Sequence, residues 1–284
     1  MHSNNLHNKP YNFKELIIKV PELSPFIVKN KMGIDTVLFA NQQAVYYLNK
    51  ALLLCFYGLD YWDIPKENLV PPVPGRADYL HYLSEIIPNT SKTTILDIGT
   101  GASLIYPLIG HALFNWNFVA TDIDSKSIQN AQQIINNNKH LSLNIFLREQ
   151  SKQNQILKGI INDTDFFDAV ICNPPFFKSK KEADTQTLRK LKGLNNTRNV
   201  KLAHNFSGKN NELWCEGGEL VFVKKLINES LLFTKNVGCF TVLISNENNL
   251  KPLQNMLQNK VKYLKIMEMS QGNKKSRILA WRFQ

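Results

Sequence analysis

One stretch, Asp168 to Phe177, gathers residue types that could hold a reactive nitrogen: Asp-Ala-Val-Ile-Cys-Asn-Pro-Pro-Phe-Phe. Asn173 brings an amide oxygen as acceptor. The prolines behind it have no N–H, so the carbonyls of the turn are free to point into a site. Acceptors beside an aromatic ring suit an exocyclic amine, whose N–H groups they can hold while Phe176 covers the attached ring. The plainer reading is a turn that only ends a strand.

A second group lies upstream, Asp97-Ile-Gly99-Thr-Gly101-Ala-Ser103. Glycines directly after a strand let the backbone approach a ligand closely. A dinucleotide fingerprint wants a third glycine, and Leu104 stands in its place. An acid follows at Asp122, where a carboxylate can accept both hydroxyls of a ribose. Glycine turn plus ribose acid without the third glycine fits S-adenosyl-L-methionine better than NAD. Either feature alone is as readily a tight turn or a helix cap.

These groups need a scaffold that brings strand ends together. The pattern predicts a strand from Thr94 into the glycine turn, a strand from Phe118 to Asp124, a helix from Ser125 to Asn137, a strand from Leu143 to Leu147, and a buried strand from Ala169 to Cys172. Such alternation argues an α/β fold with a mostly parallel, doubly wound sheet, whose first, second and fourth strands open on a common crevice. A helix from Arg76 to Ile87 precedes it. After Gly217-Gly218 come a helix, a strand from Val237 to Ile244, a helix from Leu250 to Leu257, and strands from Tyr263 to Met269 and Ile278 to Phe283, which read as a C-terminal antiparallel hairpin joined through residues 270–277. Residues 1–75 hold helical patterns over Phe13–Val20 and Asn41–Phe56 and end in a proline run. They read as a small N-terminal extension or module, joined through that run to the main α/β domain over 76–284.

Charge narrows the partner. Residues 178–211 carry nine basic against two acidic side chains, and residues 251–284 eight against one. Two basic segments, one starting directly behind the amine-binding turn, suit a polyanion better than mere solubility. Lys178, Lys180, Lys181, Arg189 and Lys190 from the first segment, with Lys274, Lys275 and Arg277 from the second, are the candidate contacts to such a polyanion, a nucleic acid among them. The 178–211 segment has little apolar periodicity and is expected to be mobile without substrate. No apolar run is long enough for a membrane span, and no secretory signal is evident at the start. Four scattered cysteines read as reduced core residues of a cytoplasmic protein, without a metal site.

In the order glycine turn, ribose acid, Asn-Pro-Pro-Phe, the chain resembles the Rossmann-like methyltransferases that modify amino groups. It is most similar to the bacterial 23S ribosomal RNA adenine-N6 methyltransferases and, more distantly, to the eukaryotic spliceosomal-RNA adenine-N6 methyltransferases. The resemblance runs nearly end to end, through Asn4-Asn5-Leu6-His7, Tyr61-Trp62-Asp63-Ile64-Pro65, Pro74 to Tyr79, Asp97 to Ser103, Ile105 to Gly110, Cys172 to Phe176, Glu212 to Glu219 and Gln271-Gly272. One departure is Ser207, where the family pattern has glycine.

The resemblance implies that Gly99, Gly101 and Ser103 contact the methionine part of the cofactor, with Asp97 and Asn173 in the same cofactor set. It puts Asp122 on the ribose and Arg76 on the carboxylate. Without a ligand, Arg76 could instead pair with Asp78 on the helix surface. Asn173, Pro174 and Phe176 would hold the target adenine. No general base is evident; His7 and His204 read as surface or structural histidines. Two rivals remain at this stage. A protein glutamine-N5 methyltransferase poses the same chemistry but needs no basic apron. A non-catalytic RNA-binding or ribosome assembly factor would have no use for an intact amine-binding turn.

Overall fold

The structure is a computed structural model, and it describes residues 1–179, 181–182, 214–271 and 274–284. The expected mobile segment falls largely outside these residues, as do Lys180, Arg189, Lys190, His204 and Ser207.

The chain begins with α1 (Phe13–Lys19), a short antiparallel pair β1 (Ile27–Lys29) and β2 (Asp35–Val37), and α2 (Gln42–Phe56). Next come α3 (Val73–Ser84), β3 (Thr94–Ile98), α4 (Ile105–Phe114), β4 (Asn117–Asp122), α5 (Ser125–Asn137), β5 (Ile145–Glu149) and β6 (Phe167–Cys172). Then follow α6 (Gly218–Ser230), β7 (Val237–Ile244), α7 (Leu250–Leu257), β8 (Tyr263–Gln271) and β9 (Lys274–Arg282). The main sheet has the order β5-β4-β3-β6-β7-β9-β8, with β9 antiparallel to both neighbours and β5 through β7 parallel. Strand order reverses between β3 and β6. Their carboxyl ends, with that of β4 beside them, form the crevice where such sheets hold ligands.

Both faces of the sheet are covered, which is why its inner strands read as unbroken apolar runs. Ile95, Ala120, Ala169 and Ile278 pack on one side with residues of α2, α3, α4 and α5; Leu96, Val119, Val170, Phe240 and Trp281 pack on the other with α6 and α7. Phe13, Leu16 and Leu23 from the first residues are buried in the same cluster as Ile95 and Leu80. Successive side chains of a strand point to opposite faces, so Asp97 shares the α3/α4 face with Ile95.

Several boundaries differ from the sequence expectation. The helix predicted from Arg76 starts at Val73, because a proline is tolerated in a first turn and the Val73 N–H donates to Asn49 Oδ1 at 2.9 Å. The strand predicted from Leu143 starts at Ile145; Leu143 itself is exposed. The C-terminal strands pair as far as Gln271 and Lys274, so the connection is much shorter than residues 270–277.

Helix α4 carries no clear sequence signal because it contains Pro107 and Gly110. Pro107 lies in the first turn, where the missing N–H costs nothing. Gly110 is required by contact: a Cβ there would come within 2.4 Å of the Phe118 ring. Gly110→Ala should therefore destabilise the protein by about 1–3 kcal/mol, read as a lowered midpoint in denaturant with unchanged slope.

Candidate active site

The glycine turn is stitched to the end of β4. The N–H groups of Gly99 and Thr100 both donate to the Thr121 carbonyl, at 2.9 and 2.8 Å. The Gly101 N–H donates to Asp122 Oδ2 at 2.8 Å, while Asp122 Oδ1 accepts from the Asp124 N–H at 2.9 Å. Gly99 and Gly101 have φ of 74° and 64°, a region glycine enters without strain. A Cβ on Gly99 would meet nothing within 4 Å among the described residues, which leaves room beside the turn. Burial pushes the Asp122 carboxyl up, and its backbone amide donors oppose the shift.

Leu104 also has positive φ, at 52°, a conformation costly for a branched side chain. It is fully buried, and that apolar burial offsets the strain. The position a pyrophosphate would need clear is filled by core.

The back of the turn is fastened by the Tyr61-Trp62-Asp63-Ile64-Pro65 stretch. Trp62, fully buried, donates from Nε1 to the Ser103 carbonyl at 3.0 Å. Asn130 on α5 donates to the carbonyls of Asp63 and Ala102, at 2.9 and 2.8 Å. Segment 61–65 thus holds the glycine turn from behind, a contact between distant stretches that local pattern does not reveal.

Arg76 reaches into the same region from α3. Its Nη1 donates to the Tyr106 hydroxyl at 2.9 Å, its guanidinium lies 5.3 Å from the Tyr106 ring centre, and its buried Nε has no hydrogen-bond partner among the described residues. It does not pair with Asp78. That carboxylate accepts from the His2 N–H at 2.6 Å and from Asn5 Nδ2 at 3.0 Å, which ties residues 2–5 to α3.

Asp97 is fully buried, and neither carboxylate oxygen has a hydrogen-bond partner among the described residues. Burial raises its carboxyl to about 7, with the Asp122 charge adding to the rise. The Thr100 hydroxyl and Arg76 pull it back, Thr100 without reaching hydrogen-bond geometry.

β6 delivers Asn173 beside β3. The Asn173 residue is partly exposed, yet its Oδ1 is buried and has no hydrogen-bond partner among the described residues. An unpaired buried acceptor is costly, so the site is built to receive a donor. The turn that follows is braced: Phe177 forms a parallel bridge with Trp214, and the Cys215 N–H donates to the Phe177 carbonyl at 3.1 Å. Gly218, at φ 68°, lets α6 start against Lys178, since a Cβ there would lie 2.8 Å from Lys178 Cγ. Glu219, buried behind it, accepts from the Ser245 N–H at 2.7 Å and from Asn249 Nδ2 at 2.7 Å, anchoring the end of β7 to the same helix.

The remaining candidates are spread out. Lys178, Lys181 and Lys275 are exposed, and Lys274 opens β9. Arg277 is buried and ion-paired with Glu247, so its charge is engaged within the fold. His7 bonds Tyr57 at 2.7 Å and Tyr11 at 3.1 Å, and burial lowers it to about 4; it is a neutral structural residue.

A protein family described as RNA methyltransferase matches residues 1–284. The chain belongs to this RNA methyltransferase family. The methyltransferase is 48% identical over 299 residues to the ribosomal RNA large subunit methyltransferase F of Bacteroides thetaiotaomicron, covering 100% of this chain and 97% of that protein. It is 46% identical to the protein of the same name from Flavobacterium johnsoniae, covering 100% and 93%. Among solved structures, the methyltransferase resembles the human METTL16 catalytic domain in complex with MAT2A 3'UTR hairpin 6, with TM-score 0.83, 32% identity, and 100% and 97% coverage. It also resembles the N-terminal domain of human METTL16 in complex with SAH, with TM-score 0.79, 29% identity, and 100% and 99% coverage. The α/β methyltransferase fold and the use of S-adenosyl-L-methionine expected from the sequence both stand.

Proposed function

We propose that this enzyme methylates the N6 amino group of an adenine in 23S ribosomal RNA, using S-adenosyl-L-methionine. The observation that carries this is the buried amide oxygen of Asn173, just past the end of β6 and unpaired among the described residues, next to a glycine turn anchored by Asp122. The names of the curated relatives support ribosomal RNA as substrate, and a protein glutamine substrate finds no support there.

In this reading, Gly99, Gly101 and Ser103 lie along the amino-acid part of the cofactor, Asp122 accepts the ribose hydroxyls, and Arg76 meets the carboxylate. The residues fit such a group: Arg76 Nε, both Asp97 oxygens and Thr100 Oγ1 are buried polar atoms without partners among the described residues. When bound, the cofactor supplies a methyl group on a sulfonium, an electrophile that needs no further activation. The protein's task is then orientation. The Asn173 oxygen and the Pro174 carbonyl accept the two N–H groups of adenine N6. This favours a pyramidal nitrogen and stabilises the positive charge that builds on it. Phe176 stacks on the flipped base, contributing about 1–3 kcal/mol.

The basic side chains Lys178, Lys180, Lys181, Arg189, Lys190, Lys274 and Lys275 are the proposed RNA contacts, with residues 1–75 as an RNA-facing extension of the 76–284 domain. We place the enzyme in the cytoplasm. Replacing several lysines between Lys178 and Lys209 with glutamine should weaken RNA binding and flatten its dependence on salt; an unchanged slope removes this segment from the RNA. The function itself is tested in cells lacking the protein. One adenine of 23S ribosomal RNA should lose its N6-methyl group, and an unaltered modification map contradicts the assignment.

A further inference from the structure

The chain has four tryptophans, and three of them spend their indole N–H within the fold. Trp62 donates to the Ser103 carbonyl at 3.0 Å, Trp116 to Asn89 Oδ1 at 3.0 Å and Trp281 to Ser230 Oγ at 3.2 Å. Trp214 differs: its Nε1 is buried and has no hydrogen-bond partner among the described residues. A buried donor left open is costly, and an acceptor brought by a ligand removes that cost.

The open donor lies on the amine-binding turn. Phe177 forms a parallel bridge with Trp214, which turns the two side chains to the same side, and the Cys215 N–H donates to the Phe177 carbonyl at 3.1 Å. Burial and then Asp97 push the Cys172 thiol well up, and Cys215 adds to the rise, so the two thiols are neighbours. Residues 214–215 therefore run along the turn from its far end at Phe177 back towards Cys172, with Asn173 between. Asn173 Oδ1 is an open acceptor and Trp214 Nε1 an open donor, and they do not bond each other. Such a pair fits a ligand that presents a donor and an acceptor side by side. Adenine does so with its N6 amine next to N1, a ring nitrogen with a free lone pair. Guanine shows the reverse, a carbonyl at O6 and an N–H at N1, and would leave both protein groups unpaired.

We propose that Trp214 reads the target base, its indole N–H donating to adenine N1 while Asn173 and Pro174 hold N6. This rests on the adenine reading above and adds to it the edge by which the base is recognised. N1 is the more basic of the two ring nitrogens that flank the amine, and a base taken out of its stack and unpaired presents its Watson–Crick edge free. The contact fixes the rotation of the ring in its own plane, so that N6 faces the incoming methyl group. Trp214 makes and breaks no covalent bond; it selects and orients the base.

The test deletes one atom of the base and the matching atom of the enzyme. RNA fragments with adenosine, 1-deazaadenosine or 7-deazaadenosine at the methylated position are given to the full chain and to Trp214→Phe, which keeps an aromatic ring and loses the N–H. With the wild-type enzyme, 1-deazaadenosine should lower kcat/KM by about ten- to a hundredfold, because the indole N–H then faces a C–H. 7-Deazaadenosine should cost no more than a few-fold. Trp214→Phe should lose a similar factor on adenosine with unchanged cofactor affinity by calorimetry, and should then treat adenosine and 1-deazaadenosine alike to within a few-fold. Should the variant not fold, the Trp214 indole N–H resonance of the wild-type enzyme carries the same test. It should move downfield with adenosine RNA and stay in place with 1-deazaadenosine RNA.

A wild-type enzyme indifferent to 1-deazaadenosine overturns the proposal, as does an indole resonance that responds equally to both RNAs. So does Trp214→Phe that keeps the wild-type rate, or that still loses the full factor on 1-deazaadenosine, which leaves Trp214 a brace for the turn and nothing more. A coupling to 7-deazaadenosine instead puts the indole on N7 and overturns the choice of edge. A wild-type enzyme that binds cofactor yet methylates no adenosine fragment overturns the adenine reading underneath, and this proposal with it.

Discussion

Asn173→Ala is expected to cut methyl transfer by at least about a hundredfold while leaving cofactor affinity within a few-fold of wild type. The variant removes the acceptor that would hold the amine where positive charge develops. Loss of one such oriented group typically costs about 10²–10³ in rate. It leaves intact the glycine turn, whose hydrogen bonds run to Thr121 and Asp122. Removing an acceptor that has no partner among the described residues costs the fold little, so stability should hold or improve slightly. Single-turnover rates with saturating cofactor, together with calorimetric affinity, separate the two effects. Transfer near the wild-type rate would show that the turn after β6 does not grip the amine.

The second large effect is expected at Asp122. Its two oxygens accept from the Gly101 and Asp124 amides, so the carboxylate fixes the glycine turn as well as offering itself to a ribose. Hydrogen bonds to a charged group contribute about 1.5–3 kcal/mol each. Asp122→Ala should therefore raise the dissociation constant for cofactor by about a hundredfold or more, with a lower melting temperature from the loosened turn. Calorimetry and thermal unfolding on the same preparation check both. An unchanged affinity would place the ribose elsewhere.

What was legible in the sequence was what local chemistry fixes. Four apolar residues closed by Asn173-Pro174-Pro175 mark a strand end, and β6 ends at Cys172. Glycine after Ile98 marks a turn, and the two glycines there have positive φ. Asp122 is at the end of β4, and the order of strands brings all three groups to one crevice. The parts that stayed hidden depend on contacts between distant residues. Helix α4 is invisible because Gly110 answers to Phe118 rather than to helix propensity. The role of Trp62 appears only once it meets Ser103, and the bracing of the Asn173 turn appears only through Phe177, Trp214 and Glu219. Charge counting placed Arg277 with its exposed neighbours, yet it lies on the strand face that meets Glu247. Pattern along the chain gives sign and position; it does not say which cations are already paired.

The most direct measurement is transfer of an isotope-labelled methyl group from S-adenosyl-L-methionine to 23S ribosomal RNA lacking the modification, followed by complete digestion and mass spectrometry of the nucleosides. The label should appear in N6-methyladenosine, at about one group per RNA molecule when the reaction is complete, and Asn173→Ala should leave it in the cofactor. Label in a different nucleoside, or none in RNA from an enzyme that binds cofactor normally, would contradict the assignment of this site to an adenine amine.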